Sequence, residues 1–133
     1  MTLTAITPEQ IAIICPTKDQ PKKVIRLLGC IARSEVKPAQ VLIADGGHNL
    51  EFIVKALDQR LNVACLYCPE AGQILQRNFA HRHLNPEIKL VIHLDDDITF
   101  EIDAIGKMVN YWNDAQNIDG KPLAGASFNV VGN

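Results

Sequence analysis

The chain has 133 residues, of which 47% are hydrophobic and 21% charged, and its formal net charge is −2. That length suits one domain with its own core, and so small a charge gives no electrostatic case for binding nucleic acid or an anionic membrane. No apolar run reaches the roughly 18 residues of a membrane span, and MTLTAITPEQ lacks the basic and apolar regions of a signal peptide, so a cytoplasmic location is expected.

In chain order, IAIIC (11–15) is a short continuous apolar run ended by Pro16 and the polar TKDQP, and it reads as a buried strand. From Lys22 to Arg33 apolar residues recur at helical spacing, as Val24, Ile25, Leu27, Leu28 and Ile31. VLIA (41–44) is strand-like and stops at the turn Asp45-Gly46-Gly47. Leu50 to Leu61 reads as a helix, NVACLYC (62–68) as a strand and Ala71 to Leu84 as a helix. KLVIHL (89–94) is a fourth strand, Ile102 to Trp112 carries a helical pattern, and LAGASFNVV (123–131) reads as a fifth strand. Strands apolar on both faces, alternating with helices, predict an α/β fold: a mainly parallel sheet with helices on both faces.

Four cysteines invite a disulfide or zinc reading. Cys15 and Cys30 fall inside apolar runs, and Cys65 and Cys68 form a Cys-x-x-Cys pair with no second ligand pair at zinc-site spacing. Buried, reduced thiols are the expectation, in keeping with a cytoplasmic address.

In parallel α/β sheets ligands bind beyond the carboxyl ends of the strands. The unusual polar residues gather there: Thr17-Lys18-Asp19 after the first strand, Asp45-Gly46-Gly47-His48 after the second, and Asp95-Asp96-Asp97 after the fourth. Capping of a following helix needs one carboxylate, whereas this segment has three. A hard divalent cation, Mg²⁺ or Mn²⁺, accounts for the excess, since it takes oxygen ligands and commonly combines one or two carboxylates with substrate phosphates. A phosphorylated ligand bridged by the metal is expected.

These residues resemble those of family 2 glycosyltransferases of the GT-A fold, the nucleotide-diphospho-sugar transferases. IAIICPTKDQPKKVIRLLGCI resembles the family's opening strand, Pro-Thr loop and first helix, and QVLIADGGHN its second strand and acidic turn. AGQILQRNFAH resembles the helix bearing an Arg-Asn pair, and VIHLDDDITF the strand leading to the Asp-x-Asp metal motif. The likeness spans roughly residues 10–130 and implies a transfer of sugar from a nucleotide-diphosphate donor of UDP or GDP type to an acceptor. By resemblance, Pro16, Thr17 and Lys18 line the nucleobase pocket and Asp45 accepts a hydrogen bond from the base imide. Arg77 lies near the base or diphosphate. Asp95 and Asp97 form the metal pair, Asp97 reaching the Mn²⁺ or Mg²⁺ and Asp95 the ribose or a metal-bound water, while Asp96 points away or supports the loop.

The chain departs from the family pattern at Lys18, where an aromatic is common, and at Asp45-Gly46-Gly47-His48, where one acidic residue of the usual turn is missing. The family's general base lies downstream of the fifth strand, so residues 1–133 are expected to be one donor-binding domain that ends before the acceptor-binding half, with no catalytic base among them. Apolar surface near LAGASFNVV is then expected to favour self-association or a looser C-terminus. Two alternatives stand beside this reading: a non-catalytic nucleotide-binding fragment, and a haloacid dehalogenase-like phosphatase. In the latter LDDDIT supplies the Asp-x-Asp-x-Thr loop, with Asp95 as nucleophile, Asp97 as acid/base and Thr99 third.

Overall fold

The computed structural model describes residues 4–48, 53, 60–116 and 123–128. Strand β1, Ile11–Thr17, follows a short 3-10 turn at Pro8–Gln10, and all seven of its residues are buried. Helix α1 is Pro21–Arg33 and strand β2 Gln40–Asp45. Strand β3 is Val63–Tyr67, helix α2 Gln73–His81, strand β4 Leu90–His93 and helix α3 Ala104–Gln116. The four strands form a parallel sheet in the order β3-β2-β1-β4. The continuous apolar runs of β1 and β2 are what a strand covered on both faces requires.

Alternation along β1 sorts its side chains between two cores. Ile11, Ile13 and Cys15 join Val41 and Ile43 of β2 under Val24, Leu27, Leu28 and Ile31 of α1 and Ile105 and Val109 of α3. Ile14, Leu42 and Ala44 face the opposite way and meet Ala80 of α2, with Ala64, Leu66, Leu84 and Val91 at the margin. Helices therefore cover both faces, as the sequence predicts. α1 starts with Pro21 at its first turn, where a missing N–H costs nothing, and buries an i, i+3, i+4, i+7 stripe. It closes on Ser34, whose Oγ donates to Cys30 O at 2.9 Å.

β1 runs on through Pro16, two residues past the predicted end. Leu94 N donates to Ile14 O, so even-numbered residues of β1 turn their backbone groups toward β4. The β1–β4 ladder ends at Ile14↔His93, so the N–H that Pro16 lacks would have had no strand partner. The pairing with β2 continues to Thr17↔Asp45. α2 begins later and ends earlier than its apolar pattern suggests: Gly72, at φ 147°, precedes it, and residues beyond His81 turn away.

One strand prediction is corrected. Of the stretch 123–131, residues 123–128 form no strand and are mostly exposed; residues 129–131 lie outside the described residues. The aromatic that gave the segment its strand character, Phe128, packs edge-on against Tyr111 of α3, with ring centroids 5.6 Å apart. The predicted helix Leu50–Leu61 falls mainly outside the described residues; Ile53 within it is helical and buried in the α1 core. Among the described residues no helix is long and apolar enough to cross a membrane.

Candidate active site

Chain order turns back at β1: β2 and β3 lie to one side of it and β4 to the other. The loops after β1 and β4 therefore diverge, and an open sheet forms its ligand crevice at such a switch point. A cleft of about 240 Å³ lies there, lined by Pro16, Thr17, Lys18, Gln73, Gln76, Asp95, Asp96 and Asp97. Pro16 has a part in making it, because it stands where β1–β4 pairing has already ended.

Of the residues the sequence singles out, Pro16, Thr17, Lys18, Asp95 and Asp97 line this cleft. Arg77 joins them through an ion pair, its Nη2 donating to Asp95 Oδ1 at 3.2 Å. Its Nε is buried without a hydrogen-bond partner among the described residues. The guanidinium thus has donor capacity left beyond Asp95, and such a donor suits an arriving anion. Asp96 does not point away: its Oδ2 accepts a 2.7 Å bond from Thr17 Oγ1 and ties the acidic loop to the end of β1. The loop-supporting role is the one it takes.

Asp45 is not among the cleft's lining residues. It is 1% exposed, and its Oδ1 accepts the Gly47 N–H at 2.8 Å, the side-chain turn that its place before two glycines suggests. Its Oδ2 is buried and unpartnered among the described residues, an arrangement that costs free energy unless something supplies a donor. Beside it, burial and the Asp45 charge push the Cys65 thiol up to about 11. Cys15 is pushed up to about 12, first by burial and then by Asp96 and Asp95. All four cysteines are free, and these two are neutral thiols at ordinary pH.

Two supports escape sequence reasoning. Gln76 is 4% exposed; its Nε2 donates to Thr17 O at 2.7 Å and Ala44 O at 2.8 Å, and its Oε1 accepts from Gly72 N at 2.9 Å. One amide thus fixes the ends of β1 and β2 and the start of α2. The available signal was a glutamine on the buried stripe with Ala80, four residues on. Asp19 sits at φ 55°, a left-handed conformation that aspartate tolerates. Its carboxylate lies against Gly47 Cα and accepts from His48 N at 3.4 Å, so the first and second loops interlock.

The donor set at the cleft, three carboxylates with no nitrogen or sulfur ligand, has the chemistry of a hard-cation site. Asp95 and Asp96 are already engaged by Arg77 and Thr17, whereas the exposed Asp97 has no hydrogen-bond or ion-pair partner among the described residues. Among the described residues no three His, Cys, Asp or Glu side chains converge to hold an ion. A cation at these carboxylates would have to complete its shell from a bound ligand, as magnesium usually does.

The model of glycosyl transferase family 2 matches residues 12–125, a stretch that includes all four strands almost whole and every residue of the cleft. The chain belongs to glycosyl transferase family 2. None of the curated proteins compared matches it. Membership speaks against the phosphatase alternative, in which the aspartate loop follows the first strand; in this family 2 chain it follows the fourth.

Proposed function

We propose that the cleft of this family 2 glycosyltransferase binds a nucleotide-diphosphate sugar, of UDP or GDP type, and serves transfer of the sugar to an acceptor. One observation carries the reading: the Pro16–Lys18 segment at the end of β1 and the Asp95–Asp97 segment after β4 line one crevice at the sheet's switch point. Each side chain then has a task. Pro16, Thr17 and Lys18 form the wall for the base. Asp45, whose unpartnered Oδ2 is buried beside the cleft, would accept from the imide N–H of uracil or guanine, which adenine lacks, once its turn opens to admit the base. Arg77, with its unused Nε–H, turns toward diphosphate oxygens. Asp97, with Asp95, holds Mn²⁺ or Mg²⁺, which when bound offsets diphosphate charge and assists its departure as a leaving group. Thr17 and Asp96 keep the acidic loop in place for this.

A reducing, cytoplasmic setting belongs to the same proposal, and the free Cys15, Cys30, Cys65 and Cys68 would suit it. Self-association of the chain belongs to the same proposal, with the exposed Tyr111 and Phe128, packed edge to face, as apolar surface for it. The donor reading is tested by calorimetry with UDP, GDP and ADP in the presence of Mn²⁺. Tight binding of UDP or GDP with weak binding of ADP is expected; equal affinity for all three would remove base recognition from the reading.

A further inference from the structure

Two imidazoles meet just outside the cleft. His81 is the last residue of α2 and His93 the last of β4. Their Nε2 atoms are 3.4 Å apart, their ring centroids 5.2 Å apart and their planes tilted by 39°. Both side chains are exposed.

The spacing suits two ways of holding such a pair. At 3.4 Å the two nitrogens form a long hydrogen bond, one ring N–H donating to the other ring, and they are also close enough to share one ion in its place. Two imidazole nitrogens bound at about 2.05 Å to one ion, at the tetrahedral angle, lie about 3.3 Å from each other, with ring centroids about 5.2 Å apart. The observed values match that bite. We propose that His81 and His93 form a two-histidine site for a borderline divalent cation of the zinc, nickel and copper class, with water completing its shell.

This site is chemically separate from the carboxylate loop. Imidazole selects ions that Mg²⁺ and Mn²⁺ do not resemble, whereas carboxylates select the latter. The Arg77 guanidinium already faces Asp95, which offsets its repulsion of a metal. The other histidines stand apart from the pair: His83 Nδ1 lies 3.0 Å from Phe79 O and its ring packs on Phe79, and His48 follows β2. An ion held here would pin the end of α2, the helix of Gln76 and Arg77, to the strand that delivers Asp95–Asp97.

The test is a two-bond ¹H–¹⁵N correlation titration of the full chain with zinc chloride, in excess Mg²⁺ so that hard-ion sites are occupied. The Nε2 resonances of His81 and His93 should move together and saturate at one equivalent, with those of His48 and His83 unmoved. Saturable binding should be lost in His81→Gln and in His93→Gln, both expected to fold because the side chains are exposed, with circular dichroism as the check. Zinc should also raise the melting temperature of the parent and not of either variant. Unmoved His81 and His93 resonances would overturn the proposal. So would unchanged zinc uptake by the double variant, which would put the ion on thiols or carboxylates instead.

Discussion

Replacing Gln76 by alanine removes a side chain that fastens β1, β2 and the α2 entry together. Three hydrogen bonds are lost, to Thr17 O, Ala44 O and from Gly72 N. At about 1 kcal/mol net each they amount to about 3 kcal/mol. Thr17 O keeps a second donor in Gly46 N, which lowers the cost, while the void left in a buried position raises it. A loss of about 2–4 kcal/mol is therefore expected, read as a lower urea midpoint at unchanged slope. Gln76→Met, which fills the volume without the polar atoms, should keep most of that loss. A destabilisation below about 0.5 kcal/mol in both variants would refute the claim that this amide secures the cleft's floor.

Asp45→Ala should weaken binding of UDP or GDP by about 1–3 kcal/mol, measured by calorimetry, through loss of an acceptor for the base imide; unchanged affinity would take Asp45 out of the site. Gly47→Ala places a methyl against the Asp19 carboxylate and within 2.9 Å of its backbone nitrogen, so a thermal melt should show a destabilisation of about 1–3 kcal/mol, and an unaltered melt would contradict the interlocked loops. The Cys15 and Cys65 thiols have folded values raised from the ordinary 9.0 to about 12 and about 11. Above pH 9 the unfolded chain releases protons that the folded chain retains, so stability should fall as pH rises from 9 toward 12. Cys15→Ala should lessen that slope in urea titrations at stepped pH, and an identical slope would contradict the burial argument.

Much of this architecture is legible in the sequence because a parallel sheet covered on both faces leaves an unambiguous mark. IAIIC and VLIA are too continuously apolar to be anything but interior strands, and α1 declares itself by its Val24–Leu27–Leu28–Ile31 stripe. The end of β1 was hidden because Pro16 reads as a breaker until it is known that its nitrogen faces the side where β4 has already parted. LAGASFNVV misled because alternation says how a segment could pair, not whether a neighbouring strand is there; Phe128 instead lies against Tyr111. At the candidate site the charged residues were legible because three adjacent aspartates at a strand end need a reason. Gln76 was not, nor was the contact of Asp19 with the second loop, since both rest on contacts across sequence separations that no local pattern encodes.

The central claim is that the carboxylates after β4 join a divalent cation to a nucleotide diphosphate in the switch-point cleft. It is tested most directly by calorimetric titration of UDP and GDP into the parent chain and into Asp97→Ala, each with and without Mn²⁺. Asp97 is exposed, so the substitution should leave folding intact. Binding should depend on Mn²⁺ in the parent and be lost in the variant. Affinity that is the same in both chains, or indifferent to the metal in the parent, would contradict it.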